Sequence, residues 1–255
     1  MNSLRKLVMI VIFIFSVSAL NVYAEDSGVS SESFGSKTSV EHPAAPAEET
    51  GVSGSIGSAV FYNYVWRGML QHSGMAIQPD LNVGYKGLTL DVWNDFKTDN
   101  NGIVNSGWFE TDFTLSYTLQ SLPENLSLTF GAIAYTVTGA NEVYDGYATL
   151  GYKTLADLSL SIYAGNSVPT SSVFTILHAL HSFELVTEKL TFDPCLAVGT
   201  DYVSNTYGEI AVPLNYTFSK HLTGGATFVL DAGNKTTNRP DGVISYGGVI
   251  ITANL

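Results

Sequence analysis

The sequence predicts an all-β protein, a single closed antiparallel transmembrane β-barrel of about twelve strands, and three observations carry that expectation. Only 13% of the 255 residues are charged, low beside the ~25% usual in a soluble domain. No stretch beyond residue 24 holds the ~18 consecutive apolar residues of a membrane-spanning helix. From about Val52 onward, short runs alternate apolar and polar residues, and the connections between them are short and long by turns. Low charge without a continuous apolar run is what strands facing lipid on one side produce.

The chain begins with an expected export signal. Arg5 and Lys6 precede an apolar core from Leu7 to Leu20, and Val22-Tyr23-Ala24 has the small-residue exit that signal peptidase reads. Cleavage after residue 24 removes two positive charges and no acid, taking the formal charge from -12 to -14. An acidic chain of this kind is a poor partner for nucleic acid. Residues 25–50, rich in Ser, Glu, Ala and Pro, cannot bury a core and read as a disordered periplasmic tether. Residues 51–255 form the barrel. The single cysteine, Cys195, rules out an intrachain disulfide, so the ladder of hydrogen bonds and packing must hold the fold.

The strands are expected near 55–67, 75–85, 88–96, 108–119, 125–136, 143–153, 157–165, 173–186, 190–200, 207–218, 222–231 and 242–255. The clearest is 109–119, where Phe109, Phe113, Leu115, Tyr117 and Leu119 share one face and Glu110, Asp112, Thr114, Ser116 and Thr118 the other. Connections after even-numbered strands are mostly tight, as at Lys86-Gly87, Thr187-Glu188-Lys189 and Ser219-Lys220-His221. Those after odd-numbered strands are longer and polar, as at 97–107, 166–172 and 232–240. Short periplasmic turns on one rim and longer outer loops on the other are the pattern of an outer-membrane barrel, with both termini in the periplasm. The lipid-facing set includes Val60, Tyr62, Tyr64, Trp66, Ile77, Leu81, Val83, Tyr85 and Leu90. A soluble periplasmic barrel or sandwich would also alternate. Twelve strands around an apolar lumen, however, leave more space than side chains easily fill, and the small polar and acidic inner face suits a wet one.

The segment Tyr64-Val65-Trp66-Arg67-Gly68, followed by Gln71, Ile77-Gln78-Pro79 and Val92-Trp93-Asn94, resembles the N-terminal half of the TorF-like family of outer-membrane porins. The match is distinct over residues 54–96. The resemblance implies an outer-membrane barrel with a pore role; it brings no substrate and no catalytic residue. The Tyr-x-x-Arg-Gly signature is similar also to small barrels that bind murein-hydrolase scaffolds.

The candidate site centres on Arg67, the one arginine expected in a strand, turned inward near its outer end. Gln78, Asp80, Asp91, Trp93, Asp95, Glu110 and Asp112 turn inward on the next three strands, and antiparallel pairing sets Gln78, Asp95 and Glu110 near the depth of Arg67. A cation facing acids across a narrow lumen makes a transverse field that sorts solutes by charge; the same groups can equally be an internal network bracing the wall. Further inward acids at Asp145, Asp193, Glu209 and Asp231 favour a cation-preferring lumen for small hydrophilic solutes. The alternatives are a non-conducting structural or partner-binding barrel, or an outer-membrane lipid hydrolase. For the last, His72-Ser73-Gly74 is the nearest echo of a Ser-His pair and reads better as a loop turn. His178 and His181, three apart on a strand, point to opposite faces and cannot share a metal. No catalytic residue, metal or cofactor is expected, and the membrane-facing partner is lipid.

Overall fold

A computed structural model of the chain describes residues 52–99, 102–166, 173–202, 205–234 and 242–254. The expected export signal and tether lie outside these residues. Fifteen strand segments form one antiparallel sheet: β1 (Val52–Trp66), β2 (Met69–Tyr85), β3 (Leu88–Asp99), β4 (Gly102–Thr118), β5 (Leu126–Val137), β6 (Val143–Lys153), β7 (Asp157–Gly165) and β8 (Val173–Leu180) come first. They are followed by β9 (Phe183–Val186), β10 (Leu190–Phe192), β11 (Cys195–Thr200), β12 (Thr206–Ala211), β13 (Leu214–Ser219), β14 (Leu222–Gly233) and β15 (Val243–Asn254). Pairing of β1 with β15 and of β12 with β14 closes the ring. Three staves are each broken in two, β8 with β9, β10 with β11 and β12 with β13, so the barrel has the expected twelve staves.

The breaks lie side by side and have a cause. Pro194 and Pro213 interrupt neighbouring staves, and proline has no N–H to donate to a ladder. Irregular backbone bonds take over, from His181 N–H to the Pro194 carbonyl at 3.2 Å and from Asp193 N–H to the Pro213 carbonyl at 3.0 Å. The fully buried Asp193 carboxylate braces the same line. It accepts from the Ser182 hydroxyl, from Thr191 Oγ1 at 2.6 Å and from Asn215 Nδ2 at 2.8 Å. Replacing Asp193 by alanine strands three donors, the buried Asn215 and the half-buried Ser182 and Thr191, so we expect a loss of about 2 kcal/mol in urea unfolding of the folded barrel. Asp193→Asn, which keeps one acceptor, loses less.

The two faces are inverted relative to a soluble protein. Outward positions are large and apolar, including Leu90, Phe113, Leu150, Ile162, Leu177, Leu196, Ile210 and Val249, and all are exposed. Inward positions carry the polar and acidic groups, and they are buried. An apolar belt around a closed sheet is the surface a bilayer covers.

The interior departs from the expected wet lumen. It is packed around two apolar clusters, one joining Phe61, Tyr64, Val65 and Trp93 to Leu180, Cys195, Ala211 and Val229, the other built on Tyr135, Tyr147, Tyr163, Phe174 and Tyr207. The expected 68–74 loop is absent too. β1 turns into β2 at Arg67-Gly68, with φ of 48° and 71°, the two positive values of a two-residue hairpin turn. Lys86-Gly87, at 49° and 84°, turns the same way.

Candidate functional site

The tip of the β1–β2 hairpin, residues 64–73, lies inside the barrel. Asn63 takes a φ of 78°, and the ladder to β2 slips between Tyr62 and Tyr64 and again between Tyr64 and Val65. An inserted residue flips the face of everything beyond it and bends the strand. Opposite it stands Gly74, with a φ of 99°, whose N–H donates to Asn63 Oδ1 at 3.4 Å. The two positions form the bend. Beyond it, Tyr64, Val65, Arg67 and Gly68 are all buried, where a wall strand would bury every second residue. Tyr64 and Trp66 therefore do not face lipid as the uninterrupted alternation predicts. Tyr64 is fully buried, and Trp66 packs edge-on against Tyr135 at 5.5 Å between ring centroids.

The base of the hairpin rests on acids of the wall. The Tyr64 hydroxyl donates to Glu110 Oε2 at 2.7 Å. His72 Nε2 lies 2.6 Å from Asp95 Oδ2, and Gln78 Nε2 donates to the other Asp95 oxygen at 3.0 Å. Tyr64, His72, Trp93 and Phe109 close around these bonds, with ring centroids 5.0 to 6.0 Å apart.

The tip reaches across the lumen. Arg67 is 3% exposed and donates from Nη2 to Asp145 Oδ2 on β6 at 3.1 Å. Its guanidinium carbon stands 4.4 Å from the Trp66 ring centroid, 4.4 Å from Tyr163 and 4.7 Å from Phe174. Tyr147 stacks on Tyr163 at 5.5 Å and Tyr207 on Phe174 at 6.3 Å, which fixes the rings. Asn205, at the end of the β11–β12 connection, donates to the Arg67 carbonyl at 2.8 Å.

The structure thus brings most of the sequence-predicted residues inside but groups them differently. Arg67 sits in a turn, not a strand, and its partner is Asp145; Gln78, Asp95 and Glu110 hold the hairpin base instead. Trp93 packs on Tyr64, and Asp112 is paired in register with Trp93 and with Tyr135. Asp80 and Asp91 are buried in hydrogen-bonding contact with each other. Glu209, in register with Asp231, accepts from the Tyr246 hydroxyl at 3.1 Å. His178 is buried inward, while His181 meets Phe183 edge-on with ring centroids 4.4 Å apart. Sequence reasoning missed the aromatic box, although Tyr135, Tyr147, Tyr163, Phe174 and Tyr207 all occupy inward phase near the outer ends of their strands. Among the described residues, ten buried carboxyl groups face one buried arginine.

The fold is that of the outer-membrane β-barrels. No family model matches the sequence, and no curated protein does. Among solved structures, the NanC porin superposes with a TM-score of 0.53 at 11% identity, over 78% of this chain and 98% of its own. An outer membrane channel from Pseudomonas putida F1 superposes with a TM-score of 0.50 at 12% identity, over 80% of this chain and 95% of its own. Outer membrane phospholipase A from Escherichia coli reaches 0.47 at 10% identity, over 79% and 90%.

Proposed function

We propose that this chain is an outer-membrane channel for small hydrophilic cations, held closed by the hairpin of residues 64–73. One observation carries the reading: among the described residues, the interior places ten buried carboxyls against a single buried arginine, and that arginine rides on a bent hairpin, not on the wall. Buried carboxylates are costly unless neutralised. Tyrosine, histidine, glutamine and hydroxyl groups give them hydrogen bonds but little positive charge. An interior of this composition suits passing cations better than it suits a permanent dry core.

The resemblance of residues 54–96 to the TorF-like porins agrees with a pore role. The apolar belt supports residence in the outer membrane, with both termini periplasmic after export and lipid as the surrounding partner. The reading is non-catalytic: on β2, buried His72 and exposed Ser73 point to opposite faces, so the one Ser-His echo in the sequence makes no nucleophile pair.

The packed interior also favours a second reading, a non-conducting structural barrel. Refolded protein in planar bilayers under a potassium chloride gradient separates the two. We expect discrete openings with a reversal potential of the sign for cations. Anion preference overturns the cation reading, and the absence of any current, in protein shown to be folded and inserted, overturns the channel.

A further inference from the structure

The contacts of Arg67 describe a binding site as much as a latch. A flat cation sits between aromatic faces, with ring centroids at 4.4 and 4.7 Å, and donates to a buried carboxylate at 3.1 Å. Tyr163, Phe174 and Asp145 belong to β7, β8 and β6, so these walls remain when the hairpin swings out. Tyr147 and Tyr207 back the two rings by stacking, which keeps the slot formed. What the hairpin contributes is the occupant, Arg67, together with Trp66 as a third wall.

We infer that this box is a binding site for guanidinium-bearing solutes, with Arg67 as its tethered resident. A planar guanidinium offers its faces to rings and its edge to a carboxylate at the same time. A tetrahedral ammonium can use the rings but has no flat face to lay between them. A solute carrying the same group competes with Arg67 for the same atoms, and each solute bound in its place frees the tip of the hairpin. Substrate recognition and opening then become one equilibrium, because only a ligand that prefers the hairpin-out form shifts the population toward it. The inference deepens the channel reading, resting on it for the route by which a solute reaches the box.

The test uses the full barrel folded in detergent, with Arg67→Ala to vacate the site and ethylguanidinium as the probe. By titration calorimetry at constant ionic strength, we expect saturable millimolar binding to Arg67→Ala, at least tenfold weaker in the wild type, whose site is occupied. Binding should disappear in Arg67→Ala/Asp145→Asn. If Arg67→Ala does not fold, as judged by its heat-modifiable mobility on gels, Arg67→Gln takes its place. Equal binding of tetramethylammonium, or binding no stronger than that of sodium, overturns the inference. Conductance is recorded separately on the same proteins: specific binding without current leaves the box standing and removes the channel, and current without specific binding does the reverse.

Discussion

Arg67→Ala is expected to convert a mostly closed barrel into a mostly open one, with at least a tenfold rise in open probability in planar bilayers. Arg67 and Asp145 are 3% and 2% exposed, so deleting the cation leaves a buried carboxylate facing an aromatic slot. Breaking such a pair by removing one partner costs about 3–5 kcal/mol, and the lost contact with three rings adds about 2 kcal/mol where water is excluded. These terms overlap and do not simply add. Even half of the lower figure for the pair, about 1.4 kcal/mol, changes a two-state population about tenfold. Contacts that survive at the tip include the Asn205 bond to the backbone and the Trp66–Tyr135 contact. Arg67→Lys keeps the charge but loses the planar face and the forked donors, so it should fall between wild type and alanine. Asp145→Asn should shift the barrel in the same direction as Arg67→Ala. If Arg67→Ala folds and inserts yet conducts no differently from wild type, the hairpin is not what closes the lumen.

The parts of this structure that the sequence made legible are those governed by local chemistry. A period of two along each run identifies a strand, and a pair such as Lys86-Gly87 identifies a turn. Together these place all twelve staves, including the two that proline breaks and the neighbour broken at His181-Ser182. The hairpin escaped the same reasoning for a local cause: the left-handed backbone at Asn63, beside two register slips whose extra residues fall on β2, reverses the phase, so Tyr64 and Trp66 look lipid-facing when the alternation is carried straight through. The turn at Arg67-Gly68 was open to recognition, since it repeats the chemistry of Lys86-Gly87. Once Arg67 is read as the end of a strand, however, the next turn candidate is His72-Ser73-Gly74, and the turn moves about five residues along the chain. The pairing of Arg67 with Asp145 lies beyond local reasoning altogether. It spans 78 residues and depends on the hairpin leaving the wall, whereas register arguments assume that every strand stays in it. Sequence could place the acids inside; it could not say which of them the arginine would meet.

Barrel closure depends on a contact of another kind, and Gly248→Val should abolish it. β1 and β15 meet over eight residue pairs, and Gly248 lies directly opposite Phe61. Phe61 is 1% exposed and meets Tyr246 edge-on at 6.4 Å, so its ring is held on both sides and covers the glycine. A Cβ at position 248 would stand 2.4 Å from the Val60 carbonyl oxygen and 2.5 Å from Phe61 Cδ1. The first obstacle is backbone and cannot swing away without opening the seam; the second is anchored in the interior cluster. Overpacking at well-filled sites costs about 1–3 kcal/mol where neighbours can yield, and here the neighbour is the ladder that joins the ends of the sheet. We expect Gly248→Ala to lower the folded yield and Gly248→Val to leave the chain in the heat-denatured position on unheated gels. Gly107→Ala is the control, because a Cβ there meets nothing within 4 Å, and its stability should match wild type within ~0.5 kcal/mol. A normally folded Gly248→Val barrel would mean that β1 and β15 can separate and re-pair in another register. The seam would then be adaptable, and the position of the hairpin, which grows directly from β1, would no longer be fixed by closure.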